Sequence, residues 1–283
     1  MNETETTPDH KVPSSLTQVG ITMKYTFLDY FRSRRFFILL IITILITALL
    51  TILVGYYRPQ SFLASDLSFY SSWWGNSVTF VIILSGIFFG GDAISGEFQN
   101  KTGYFGIPNP IRRSSIYIGK WLAAFFAATA ILLVFTVITM ANGISYFGAN
   151  VPYQFAESVL FAWVYLASVL GFTFFFSSLF KSSSMSIIVT TILFLFVFSL
   201  LQTLVAALVK IEPWFILTYG AGIVGNILTV PYPEHIHTET FGEGRISITT
   251  YNAPIPEGLA ILGLYFIITV VLGLLLFERK EFT

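Results

Sequence analysis

Between Arg35 and Arg58 the chain carries no charged side chain, and Phe36 to Tyr57 is almost entirely Leu, Ile, Thr and aromatic. A helix needs about 20 such residues to cross the ~30 Å hydrocarbon layer of a bilayer, so this run reads as a membrane span. Four more runs have the same character: Ile116 to Ile144, Phe155 to Phe180, Ile187 to Val209 and Leu259 to Phe277. A sixth, Trp73 to Gly90 ("WWGNSVTFVIILSGIFFG"), is shorter and holds Asn76, Ser77 and Ser85, but it is uncharged and opens on a Trp pair suited to a membrane interface. The composition agrees: 55% of residues are hydrophobic and 11% charged, against about 25% charged in soluble domains. Six spans, about 36–57, 73–90, 116–144, 155–180, 187–209 and 259–277, make this an all-α membrane protein.

A further run, Pro213 to Val230, is broken by glycines and short for a span. The positive-inside rule decides its reading. With six spans and the N-terminus inside, twelve Lys and Arg are cytosolic and only Arg58, Lys210 and Arg245 lie outside; a seventh crossing moves Arg279 and Lys280 out. The run is therefore expected to be a re-entrant hairpin in the outer leaflet, between spans five and six. The surrounding segment, 211–257, with its strand-like "RISITTY" from Arg245 to Tyr251, is expected to form a small extracellular cap. Residues 1–14 are polar and proline-containing and read as a disordered cytosolic tail, ahead of a single transmembrane domain, 15–283. From Ser15 to Arg35, Leu16, Val19, Met23, Phe27 and Tyr30 or Phe31 recur at helical spacing beside Lys24, Arg32, Arg34 and Arg35, the pattern of an interfacial elbow helix.

What is missing narrows the chemistry. There is no cysteine, hence no disulfide, iron–sulfur cluster or cysteine-based zinc site. Charges balance at zero net, so nothing suggests nucleic acid. No span has an ionisable residue at its middle, as ion-coupled transporters do; Asn76, Asn142, Glu157 and Gln202 lie toward span ends or stand alone. The phosphate-cradling GxxxxGK pattern is absent, since the only GK, Gly119–Lys120, is followed by Trp121. His235 and His237 ("EHIH") project to one side of a strand with Glu234 and Glu239 near, the makings of a metal site, but a solvated outer loop is expected there and no metal site is assigned. Small residues four apart, Ala123/Ala127, Ala124/Ala128 and Gly86/Gly90, point to close helix packing within the chain or across a dimer.

One segment departs from all this: "GDAISGEFQNKTGYFGIPNPIRRSSIYIGK", Gly91 to Lys120. Between spans two and three, on the cytosolic side, it runs acid (Asp92), "ISGE" (Ile94 to Glu97), Lys101-Thr-Gly, then "IPNPIRRSSIYIGK". That order resembles the first cytosolic loop of type-2 ABC transporter permeases, with Lys-Thr-Gly in place of the commoner Gly-Thr. The elbow helix, the long last outer loop and the ending "FERKEF" are similar to that family too. The resemblance implies an exporter permease subunit that pairs with a second copy or a homologous permease and binds two separate ATPase subunits. The chain itself would hold no cofactor, ATP and Mg²⁺ being bound by those partners, and would perform no catalysis. It would sit in the cell membrane with both termini cytosolic. Ala93 to Tyr104 would be the coupling helix, and Asp92, Glu97, Gln99, Lys101, Arg112, Arg113 and Lys120 the ATPase-coupling set, with Asp92 and Glu97 meeting either the partner or the chain's own Arg112, Arg113 and Lys120. Residues expected along a substrate path are Asn76, Thr79, Gln202 and Thr203. The other classes left open are an ATP-independent channel or facilitator and a membrane scaffold.

Overall fold

A computed structural model describes residues 14–100, 112–241 and 246–280. Residues 1–13 of the expected tail, Lys101 and the last three residues lie outside them. Among the described residues, six helices are long and apolar enough to span a bilayer: Arg34–Tyr57, Asp66–Gln99, Arg113–Phe147, Tyr153–Leu179, Ser183–Val209 and Ile255–Arg279. Each begins ahead of the stretch expected from hydropathy, because helical hydrogen bonding extends beyond the apolar residues. The third, of 35 residues, is about 52 Å long at 1.5 Å per residue and projects well beyond the ~30 Å hydrocarbon layer. Tyr30, Arg35, Asp92, Phe98 and Lys280 meet at one end of the bundle, called here the terminal face.

The elbow helix, Ser15–Arg32, starts at Ser14, whose hydroxyl accepts the Thr17 N–H, and lies along the projecting part of the third span. Contact is close: a Cβ on Gly119 would come within 2.7 Å of Thr22. The stripe expected to face the membrane divides its work. Val19, Met23, Phe27 and Tyr30 are half-buried, while Leu16 and Phe31, with Ile21, Tyr25 and Leu28, stay exposed.

Burial separates the spans. In the second, 67% of the apolar window is buried, against 6% in the fifth, so spans two and four form the centre and span five the periphery. Ala123, Ala124, Ala127 and Ala128 of the third span are fully buried, and a Cβ on Gly86 or Gly90 would strike Val169 or Thr173 of the fourth. The small-residue spacing thus serves packing within the chain.

The second span is entered through a short helix, Asp66–Tyr70, and a π-helical turn, Ser71–Gly75, that carries Trp73 and Trp74. Both indoles are fully buried, which corrects the expectation of an interfacial pair. The Trp74 N–H donates to the Ser158 hydroxyl at 2.8 Å, the ring stacks on Phe135 with centroids 5.4 Å apart, and Ser158 in turn donates to the Val224 carbonyl. Beside this turn packs the run 213–230. It forms two helical turns, Leu217–Gly220 and Ile223–Asn226, and enters and leaves at the face opposite the termini. Backbone meets backbone at Gly75 and Gly225, where a Cβ on Gly75 would lie 3.3 Å from the Gly225 Cα. Its buried Leu217, Ile223 and Val224 pack into the bundle, so the broken helix is sheltered by protein, as irregular backbone at membrane depth requires.

Two strands follow, β1 (Ile236–Phe241) and β2 (Ile246–Tyr251), antiparallel with Ile236 opposite Tyr251 and Phe241 opposite Ile246. This hairpin makes the expected cap and rests on the end of the fifth span through the Tyr251 hydroxyl, which donates to the Lys210 carbonyl at 2.7 Å.

Candidate functional site

The second span turns at Gly91 into a separate short helix, Ser95–Gln99, on the terminal face. It is the described part of the segment expected from Ala93 to Tyr104. Five residues make one hydrogen-bonded turn and cannot hold a helix in water unaided, so its order must come from its neighbours.

Those neighbours come from five spans. Arg35, at the head of the first, donates to Asp92 at 2.5 Å. Lys120, in the third, pairs with Glu97 and donates to the Ala93 carbonyl at 3.0 Å. Ser177, near the end of the fourth, accepts the N–H of Ile94 at 2.9 Å and of Ser95 at 3.0 Å, meeting the unpaired donors of the helix start. The Gln99 side-chain carbonyl accepts the Ser183 N–H at 2.7 Å and so caps the fifth span. Phe98 sets its edge against Phe277 of the sixth, and the Lys280 ammonium sits 4.4 Å over its ring. Tyr30 of the elbow helix adds a hydrogen bond to the Phe89 carbonyl at 2.8 Å, and burial, aided by Asp92, pushes its hydroxyl above the usual range, so that it stays a donor.

The two acids thus have partners within the chain. Glu97 turns back to Lys120, one of the two arrangements left open by the sequence; Asp92 takes Arg35, which the sequence did not single out. The Glu97–Lys120 side chains are 26% and 15% exposed, sheltered enough for a charge-assisted hydrogen bond to contribute on the order of 1.5–3 kcal/mol. Arg113 serves a different helix end. It donates to the carbonyls of Glu278 at 3.0 Å and Lys280 at 2.8 Å, capping the sixth span. Lys280 does the same for the fourth, donating to Ser178 at 2.9 Å and Phe180 at 2.8 Å. The Arg112 N–H reaches the Gln18 side chain at 3.1 Å. Ser177 was missed by sequence reasoning; its only trace was a Ser pair ending a run of phenylalanines.

Toward the other face lie two polar clefts of about 270 Å³ each. Asn76 and Thr79 line one, with Ser71, Thr218 and Asn226; Gln202 and Thr203 line the other, with Ser199 and Thr250. Each pair of expected path residues therefore shares a cleft. The clefts are linked where Thr218 donates to the Gln202 side-chain carbonyl at 3.1 Å. Asn142 instead bonds its own helix, at the Ile138 carbonyl, 2.9 Å away. His235 lies just ahead of β1 and its ring meets Glu212.

Six spanning helices, a sheltered re-entrant turn and a loop helix braced against five spans define a multi-pass membrane protein of permease type. Residues 23–282 match the family described as ABC-2 family transporter protein, and the chain belongs to that family. A comparison with curated proteins found no match.

Proposed function

We propose that this chain is the transmembrane subunit of an ABC exporter, pairing with a second permease and driven by two separate ATPase subunits that bind ATP and Mg²⁺. In this reading the terminal face is cytosolic and Ser95–Gln99 is the coupling helix. The observation that carries it is the bracing of that helix and the turn ahead of it: a push on Asp92 to Gln99 reaches the ends of spans one, three, four, five and six at once. Glu97 and Asp92 keep the helix rigid, and the exposed Gln99 and Asn100 meet the ATPase. ATP-driven approach of two such helices in a dimer rocks the spans and opens a path past the two polar clefts.

Lining that is polar yet uncharged suits an amphipathic cargo without fixed charge pairing. The test is co-expression with a candidate ATP-binding-cassette ATPase from the same genome, followed by co-purification and measurement of ATP hydrolysis. A stable complex whose hydrolysis depends on the permease supports the reading. Failure of every such ATPase to associate favours a channel or scaffold.

A further inference from the structure

The face opposite the termini holds a polar cluster that the transport reading leaves unused. Glu212 follows the fifth span, His235 precedes β1 and Glu257 lies in the first turn of the sixth span, so three separate elements converge there. Each offers one ligand atom, and the three atoms lie within 4.8 Å of one another. His235 Nε2 and Glu212 Oε2 are 3.3 Å apart.

The other ring nitrogen fixes what Nε2 has to offer. Nδ1 lies 3.1 Å from the Asn252 carbonyl, and a carbonyl only accepts, so Nδ1 carries a proton. In the neutral ring Nε2 then bears a lone pair aimed at a carboxylate oxygen that bears lone pairs too. Two such acceptors repel unless a proton or a metal cation stands between them, and Glu257 adds a second carboxylate. Metal-binding histidines are held in this manner, the far N–H given to a carbonyl that sets tautomer and orientation. Asn252 is itself pinned: its N–H donates to the His235 carbonyl at 2.8 Å and its side-chain amide to the Glu234 carbonyl at 2.9 Å. Ring and acceptor therefore belong to one rigid turn. On the other side, the Tyr219 hydroxyl donates to Glu212 Oε1 and orients that carboxylate. A cleft of about 300 Å³, lined by Tyr232, Asn252 and Pro254, lies beside His235.

We propose that Glu212, His235 and Glu257 form a binding site for a divalent transition-metal ion of the zinc class. One imidazole and two carboxylates form a donor set that zinc accepts. Bonds of roughly 2.0–2.2 Å put tetrahedral ligands roughly 3.3–3.6 Å apart, so the cluster contracts by about an ångström on binding. Rotation of the two half-buried glutamates supplies that movement. The bound ion ties the end of span five, the hairpin cap and the head of span six together. The site does not depend on the ATPase reading.

The test uses the full-length protein stripped with EDTA, titrated with Zn²⁺ by calorimetry and with Co²⁺ by visible absorption. The expected result is a single ion per chain, with a cobalt spectrum of the intensity typical of four- or five-coordination. His235→Asn and Glu257→Gln each weaken Zn²⁺ binding at least tenfold, whereas His237→Asn leaves it unchanged. Zn²⁺ raises the thermal midpoint of the wild type and of His237→Asn but not of His235→Asn. A stripped wild type that takes up no Co²⁺ overturns the site whatever the variants do, and is the result expected if a protonated imidazole resolves the facing pair. Binding that survives His235→Asn overturns it equally.

Discussion

Ser158 shows how much one hydroxyl carries in this bundle. It accepts from Trp74 and donates to Val224, joining the second span, the fourth span and the re-entrant turn inside the protein. Replacing it with Ala leaves a buried indole N–H without an acceptor, a cost of about 1–3 kcal/mol. Ser158→Ala is expected to lower the thermal midpoint in detergent, while Ser158→Thr, which keeps the hydroxyl, lowers it less. Gly90 is a second such point: a Cβ there would lie 2.0 Å from Thr173 Oγ1 and 3.0 Å from its Cβ. Gly90→Ala should cost about 1–3 kcal/mol through overpacking, and adding Thr173→Ala should recover part of it, which a double-mutant cycle of thermal midpoints reads directly. Residues such as these were only half legible in the sequence. Small side chains four apart signalled close packing, but not which neighbour would be met, because that depends on how the helices cross.

The helix Ser95–Gln99 is the element on which the functional reading turns. Its two leading amides depend on one serine hydroxyl, so Ser177→Ala should free the helix without unfolding the bundle. Hydrogen exchange is expected to accelerate at Ile94 to Gln99 and to stay slow along the second and fourth spans; equal acceleration throughout would mean that Ser177 supports the whole core. The sequence revealed this element by composition, as a polar island between oily runs, and by the order of its residues. It did not reveal Arg35, Ser177 or Ser183 as its supports, since each lies far along the chain and looks like an ordinary span terminus. The same holds for the Trp pair: its chemistry suits an interface, and only the packing of Phe69, Phe135 and Phe155 around it puts it inside.

At the scale of the whole molecule, the spans were legible because lipid and backbone hydrogen bonding leave a chain so few options. The side on which each loop lies rests on the distribution of Lys and Arg, and the absence of cysteine makes it simple to test. Single cysteines placed at Ser14, Thr250 and Arg279 and treated with a membrane-impermeant maleimide should react from one side for positions 14 and 279 and from the other for position 250. A run from Pro213 to Val230 that crossed the bilayer would put positions 14 and 279 on opposite sides. The central claim, that force enters through a helix held rigid by pairs within the chain, is tested most directly by a charge exchange, with permease-dependent ATP hydrolysis measured in the assembled complex. Glu97→Lys should reduce that hydrolysis about tenfold, the equivalent of about 1.4 kcal/mol, and the double variant Glu97→Lys with Lys120→Glu should restore most of it. An unchanged rate in Glu97→Lys, or a double variant as impaired as the single one, would contradict it.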